Sequence, residues 1–385
     1  MNNKISVFGS SGFIGSRFCQ MYDSETKFYN MNIFDNLFVL ELANNHWGSV
    51  SRGKKIIREF SRVVKDNNIK ASIKLQFRDV DSFIHKDFKA KQEKDLNSLP
   101  KRLRYIEKTS YTKLSKEEFE ELVNYIKENG CIPMATAFDE PSVDLCVKFD
   151  IPIIKVASSD LNDWVLLNKL ANTKKPIILS TGGANEKQID DSVKFFLNRK
   201  ISLALNHCVS KYPSEDNELE LDQIDYLRNR YPNITIGLST HEYHDWHSSM
   251  LISYAKGART WERHIDIPYP KNHIQKEVSS YCSLPHQIDE WFKAFHTAQT
   301  MCGTSYDERR TIDQKETEYL ESLYRGLYLK KNIKEGEKIT INHLYSAIPY
   351  QKEIGQLSSR NFIEKDCVAK NNLKKDDPLT YNDIT

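Results

Sequence analysis

Cysteine is sparse: seven residues scattered over 385, with no Cys-x-x-Cys pair. That excludes a disulfide framework and reads as reduced thiols. No apolar run approaches the roughly 18 residues of a membrane-spanning helix. The start, Met1-Asn-Asn-Lys-Ile-Ser, has no apolar run ending in a small-residue cleavage site, so no export signal is read and a cytoplasmic location is expected. An excess of one charge is missing too. Lys+Arg number 55 and Asp+Glu 53, a formal +2, which argues against an electrostatically driven nucleic-acid binder. Low-complexity tracts are absent, and no internal repeat is read beyond the alternation described next.

What is present suffices for a core: 39% hydrophobic and 28% charged residues exclude wholesale disorder. Four regions differ in texture. Residues 1–34 hold a glycine turn, Gly9-x-x-Gly12-x-x-Gly15, that resembles a dinucleotide-binding start. No room follows it for the rest of such a domain, so it is read as an extension and NAD binding is not expected. Residues 35–300 alternate short apolar runs with amphipathic ones. Strand candidates fall at 38–44, 71–77, 131–138, 151–158, 176–180, 201–207, 234–239 and 259–265. Eight βα units over about 250 residues predict a TIM (β/α)8 barrel, with a doubly wound open sheet as the alternative. Ser115…Glu118 reads as a capping box opening a helix. Residues 78–111 are too long for an ordinary βα loop and predict a lid or excursion over the barrel mouth. Residues 301–322 read as a charged linker, and 323–385 as a small domain of short strands.

Barrel chemistry sits at the carboxyl ends of the strands, and here those ends are polar. In order they carry Glu41…Asn45-His46-x-Gly48, Lys74-x-Gln76, Thr136, Lys155…Ser158…Asp160, Ser180-Thr181-Gly182, His207-Cys208-Val209-Ser210-x-Tyr212-Pro213, Ser239-x-His241 and Glu262-Arg263-His264. Two lysines with small hydroxyls and a Gly-Gly turn suit a phosphate or carboxylate. Two histidines from adjacent strands beside a carboxylate suit a divalent metal with open positions.

This ordered set resembles the sialic acid synthase (N-acetylneuraminate synthase) family, which includes legionaminate, pseudaminate and spore-coat polysaccharide synthases. The C-terminal Tyr324-Arg325-Gly326…Glu335-Gly336-Glu337 is similar to that family's antifreeze-like (SAF) domain. The resemblance implies condensation of phosphoenolpyruvate with an N-acetylated amino-sugar aldehyde, N-acetylmannosamine or a related sugar, giving a nonulosonic 2-keto acid and phosphate. It implies Mn2+ or Mg2+ on His241 and His264. It implies phosphoenolpyruvate on Lys74, Lys155, Ser158, Ser180, Ser210 and Ser239, with Thr136 a weaker addition. Glu41 and Glu262 would orient the aldehyde or the attacking water, and Asp160 and Tyr212 would meet the sugar. It also implies a homodimer in which the C-terminal domain caps the partner's site.

Each signal has a plainer reading. Two histidines could be buried and hydrogen-bonded, and the matched strand ends favour metal. His244 and His247 extend an H-x-x-H-x-x-H run but read as solvated helix residues. Lysines inside strands are costly to bury without an anion. His46 reads as a buttress for Glu41, and Cys208 as packing. Departures from the family fall on the sugar side. Thr240 stands for an aspartate, Asp160 for a glutamate, and Ile348-Pro349 for Arg-Pro, with Arg360 a candidate replacement. They favour an altered acceptor. The rival functions are a TIM-barrel lyase using a Schiff-base lysine and a catalytically silent sugar-binding relative.

Overall fold

Eight strands pair in parallel in chain order, and the first closes on the last. They are β1 (Leu37–Ala43), β2 (Ala71–Phe77), β3 (Ile132–Ala137), β4 (Ile153–Val156), β5 (Ile177–Ser180), β6 (Leu203–Cys208), β7 (Thr235–Ser239) and β8 (Thr260–Ile265). The β1–β8 ladder, Leu37 beside Thr260 through Glu41 beside His264, makes a closed TIM barrel and removes the open-sheet alternative. A two-residue strand, β9 (Cys282–Ser283), adds to β8. The protein is described as a computed structural model covering residues 32–88, 99–303 and 309–385. The Gly9–Gly15 turn lies outside the described residues. Two compact units result, Met1–Thr304 and Ser305–Thr385.

Strand periodicity places the site. Successive side chains alternate between the inside of the barrel and its helical shell. On β1, Phe38, Leu40 and Leu42 face the shell core, while Leu37 and Val39 join Met134, Ile153, Ile178 and Ala204 in an inner plug. Continuing each inner row by two residues toward the carboxyl end gives Glu41, Thr136, Lys155, Ser180 and Asn206. The barrel floor is thus apolar and its mouth polar, from one alternation. Gly237 is required in that inner row, because a Cβ there would stand 1.9 Å from Thr260 Oγ1 and 2.5 Å from Asn206 Oδ1. Outside, Phe38 stacks on Trp261 at 5.0 Å and meets Trp291, Phe292 and Phe295 edge-on. That knot joins the barrel seam to the last helix, Pro285–Cys302.

Side-chain caps open several of the shell helices, at Ser49, Ser115, Asp139, Asp163 and Asn185. The helix Lys116–Glu128 opens on the expected box: Glu118 N donates to Ser115 Oγ (3.2 Å) and Ser115 N to Glu118 Oε2 (2.7 Å). β4 is shorter than expected because Ser158–Asp160 curls into a 3-10 turn. The excursion after β2 contains a helix, Lys101–Tyr111, whose residues line the barrel mouth.

The second unit corrects the reading that no repeat exists outside the barrel. Asn332-Ile-Lys-Glu-Gly-Glu-Lys-Ile339-Thr340 recurs forty residues later as Asn372-Leu-Lys-Lys-Asp-Asp-Pro-Leu379-Thr380. The two copies face each other reciprocally. Glu335 N donates to Asn372 Oδ1 (3.0 Å) and Lys375 N to Asn332 Oδ1 (2.8 Å), with Ile333 bridged to Leu373. Gly336 and Asp376 hold equivalent turns at φ 76° and 70°. The repeat is hard to read because few identities survive and the turn glycine becomes aspartate, which tolerates positive φ. Its core is small and separate, built from Leu327, Leu329, Ile339, Leu344, Leu357, Phe362 and Leu379 among others.

Candidate active site

A cavity of about 1210 Å³ opens at the carboxyl ends of the strands. Glu41, Lys74, Thr136, Lys155, Ser158, Ser180, Ser210, Tyr212, Ser239, His241, Glu262 and His264 all line it. Asp160 does not; it stands just outside the lining. Its Oδ1 accepts from Ser159 Oγ at 2.8 Å and its buried Oδ2 has no partner among the described residues. Burial pushes its carboxyl up to about 6.

Across the floor of the mouth, five strands join through charge. Lys74 Nζ donates to Glu41 Oε2 and, at 2.8 Å, to Thr136 Oγ1, and it lies 3.5 Å from Glu262 Oε1. Lys155 Nζ donates to Glu262 Oε2 at 2.9 Å. Burial lowers the Lys74 ammonium to about 7. Burial works to raise Glu262, but Lys155 and Lys74 prevail and hold it at about 2. Glu41 is fixed from its own strand end: Ala43 turns to φ 52° and donates its N–H to Glu41 Oε1 at 2.6 Å. His46 therefore does not buttress Glu41. Its Nδ1 accepts from Gly48 N at 3.1 Å, its Nε2 is unpartnered among the described residues, and its ring meets Phe119.

The same cavity holds a cradle of hydroxyls. Gly182 N donates to Ser158 Oγ at 3.0 Å, and a Cβ on Gly182 would come within 2.1 Å of Ser210 Oγ and 2.8 Å of Ser158 Oγ. Ser180 Oγ is buried with no partner among the described residues. An unsatisfied buried hydroxyl in a cavity that also holds two ammonium groups is a place for an anion's oxygens.

His241 and His264 share the third wall, ring centroids 5.5 Å apart, with Tyr212 4.0 Å from the first and Tyr281 5.3 Å from the second. His241 Nδ1 lies 3.0 Å from the Val209 carbonyl. A carbonyl only accepts, so Nδ1 carries the proton and Nε2 keeps its lone pair. Burial holds His241 near 4 and His264 well below the ordinary imidazole range; both rings are neutral, the ligating form. No group of three or more His, Cys, Asp and Glu converges as a full metal cage among the described residues. The two imidazoles fit a divalent ion that completes its shell with water or substrate. His244 turns instead to Glu215 at 3.4 Å, outside the lining. Cys208 is buried in the wall and burial raises its thiol, as expected for packing.

Reading the strand ends missed part of this lining. Arg78, Arg102, Tyr105, Lys108 and Tyr281 also face the cavity, as does Gln76, which the strand end had shown. Arg78 carried a signal, since Lys74, Gln76 and Arg78 follow the period of an inward row. Those on the helix Lys101–Tyr111 carried none until that helix was placed.

The NeuB family profile matches residues 67–306. A crystal structure assigned to spore coat polysaccharide biosynthesis protein E of Chromobacterium violaceum is similar over 91% of this chain and 99% of that one, at 33% identity and a TM-score of 0.80. N-acetylneuraminate-9-phosphate synthase of Drosophila melanogaster is 29% identical over 91% of this chain and 87% of its own. N,N'-diacetyllegionaminic acid synthase of Campylobacter jejuni is 25% identical over 87% and 99%. With more than half of its residues inside the profile, this chain belongs to the NeuB family.

Proposed function

We propose that the protein condenses phosphoenolpyruvate with the open-chain aldehyde of an N-acetylated amino sugar, giving a nonulosonic 2-keto acid and inorganic phosphate. The observation that carries this reading is the pairing, in one cavity, of two buried lysines and a hydroxyl cradle with two neutral imidazoles. Lys74, Lys155 and the hydroxyls of Ser158, Ser180, Ser210 and Ser239 hold the phosphate and carboxylate of phosphoenolpyruvate by charge-assisted hydrogen bonds. A divalent ion, Mn2+ or Mg2+, held by His241 and His264 would supply a Lewis acid to the aldehyde oxygen. Carbon three of phosphoenolpyruvate bonds to the aldehyde carbon, whose oxygen gains a proton. Water adds at carbon two, losing one proton beside Glu41 or Glu262; as the C–O bond to phosphate breaks, the second proton leaves with the phosphate and carbon two becomes the ketone. Tyr212 closes the mouth over the sugar. The named synthases among the relatives support this class of product.

A Schiff-base lyase fits less well. Lys74 and Lys155 both bind carboxylates, and the neighbouring hydroxyl cradle suits phosphate rather than a neutral carbonyl. The test is phosphate release from phosphoenolpyruvate with N-acetylated hexosamines, with and without divalent metal. Release that requires both is expected. His241→Ala and His264→Ala should each abolish it and weaken Mn2+ binding measured by calorimetry. Borohydride trapping of a keto acid on Lys74 or Lys155, without metal, would instead establish the lyase.

A further inference from the structure

The outer end of the cavity holds cations that phosphoenolpyruvate does not use. The inward row of β2 runs Ser72, Lys74, Gln76 and continues to Arg78 just past the strand. Arg78 follows Lys74 by four residues along the row, and its guanidinium turns back to Gln76, near enough for its charge to act on the Lys74 ammonium. It is 9% exposed, with its guanidinium carbon 3.7 Å from the Phe138 ring centroid. Nη1 donates to Gln76 Oε1 at 2.8 Å, and the buried Nε has no partner among the described residues. Tyr105 is its strongest side-chain partner, Asp160 and Asp139 act on it more weakly, and Asp139 is committed to the N–H groups of Asp79 and Ser142.

Lys108 enters the same cavity from the helix Lys101–Tyr111 on another wall, with Cys282 and Asp266 as its electrostatic neighbours. Its ammonium lies 5.3 Å over the Trp47 ring. The carboxylates of the described lining, Glu41 and Glu262, are bound to Lys74 and Lys155. Arg78 and Lys108 therefore face the cavity with no carboxylate bound to either among the described residues. Arg102 adds positive charge at the rim. A guanidinium stacked on an aromatic ring and taken out of water is costly unless an anion meets it. Its planar fork matches phosphate or carboxylate oxygens.

We propose that Arg78, with Lys108 adding positive charge from another wall, binds an anionic substituent, a phosphate or a carboxylate, on the end of the acceptor sugar remote from its aldehyde. This rests on the condensation reading and specifies the acceptor class: an acidic N-acetylated amino sugar.

The test separates binding from turnover by using alditols, which lack the aldehyde and cannot react. With phosphoenolpyruvate in excess to occupy the Lys74–Lys155 end, calorimetry compares three ligands. They are N-acetylhexosaminitol, its 6-phosphate, and the analogue oxidised to a carboxylate at carbon six. One or both anionic forms should bind at least tenfold more tightly than the neutral one, and the tighter of the two identifies the group. Arg78→Gln and Lys108→Gln should each shrink that ratio while leaving phosphoenolpyruvate affinity within about twofold. Lys108→Gln, at a partly exposed site, serves if the buried substitution fails to fold. Equal affinity for all three alditols in the full-length protein would overturn the subsite. Discrimination among alditols without phosphate release from any acceptor aldehyde would uphold the subsite and sink the condensation reading.

Discussion

Asp160 shows how a single buried group reports on its surroundings. Its Oδ2 lacks a partner among the described residues and burial raises its carboxyl to about 6, above the ordinary value near 3.9. A folded-state value above the unfolded one means that the folded protein binds the proton more tightly. The contribution to stability is full below about pH 4 and is lost as pH rises through 6. Asp160→Asn, which keeps the shape and removes the charge, should therefore stabilise the barrel above pH 6, by on the order of 1–2 kcal/mol at pH 8. The gain should fall to about half by pH 5 and vanish below about pH 4. Paired thermal melts of variant and wild type at pH 8 and pH 5 check this. A gain that is the same at both pH values would mean that charge burial is not the cause. The lysines nearby illustrate the opposite case: Lys155 is as buried as any core residue, yet Glu262 compensates it.

At the scale of elements, the loop from β7 that carries His241 is held by an ion pair on the shell side. Arg263 of β8 points outward and is 1% exposed. It donates through Nη1 to Glu242 Oε1 (2.5 Å), through Nη2 to the Glu242 carbonyl (2.6 Å) and through Nε to Ser283 Oγ (3.1 Å). Ser249 and Thr240 hydroxyls also donate to the Glu242 carboxylate. Glu242→Ala strands a buried guanidinium and should cost about 3–5 kcal/mol in urea unfolding. Replacing Arg263 with Met as well should recover much of that loss. If the double variant is no more stable than Glu242→Ala, the cost lies in the loop and not in the unpaired charge. This pair also marks a limit of sequence reading. The motif Glu262-Arg263-His264 was legible, and alternation sends its two outer members into the barrel. Nothing local shows that Arg263, on the other face, finds Glu242 twenty-one positions earlier. The eight strands and the lysine and histidine rows were readable because period-two patterns and polar strand ends are local. The basic wall on the helix Lys101–Tyr111 and the C-terminal repeat were not. One depends on where a long insertion folds back, the other on equivalences that survive as residue class rather than identity.

The whole molecule comprises two units with separate cores, one wrapped around the barrel and one inside the forty-residue repeat. The lysines, hydroxyls and imidazoles of the cavity lie on the first unit, and binding of phosphoenolpyruvate and metal is expected to need only that unit. The likeness of residues 323–385 to an antifreeze-like domain motivates a different part for the second: we propose that it acts on the acceptor side, in a homodimer where each copy serves its partner. A closed two-fold arrangement supplies the same contribution to both sites. Shielding the mouth would also protect the reacting carbons from premature water. A protein ending at residue 304 is expected to unfold cooperatively and to bind phosphoenolpyruvate and Mn2+ with affinities within about threefold of the full chain. Its condensation rate should fall at least tenfold, with the loss concentrated in the acceptor's KM. Mixing it with a full-length His241→Ala variant tests the partnership directly. The inactive barrel would bring an intact second unit to a competent site, and activity should return as mixed dimers form. A full-length protein that is monomeric by ultracentrifugation while fully active would rule out exchange between copies, whereas an unimpaired truncated barrel would rule out any part for the second unit in turnover.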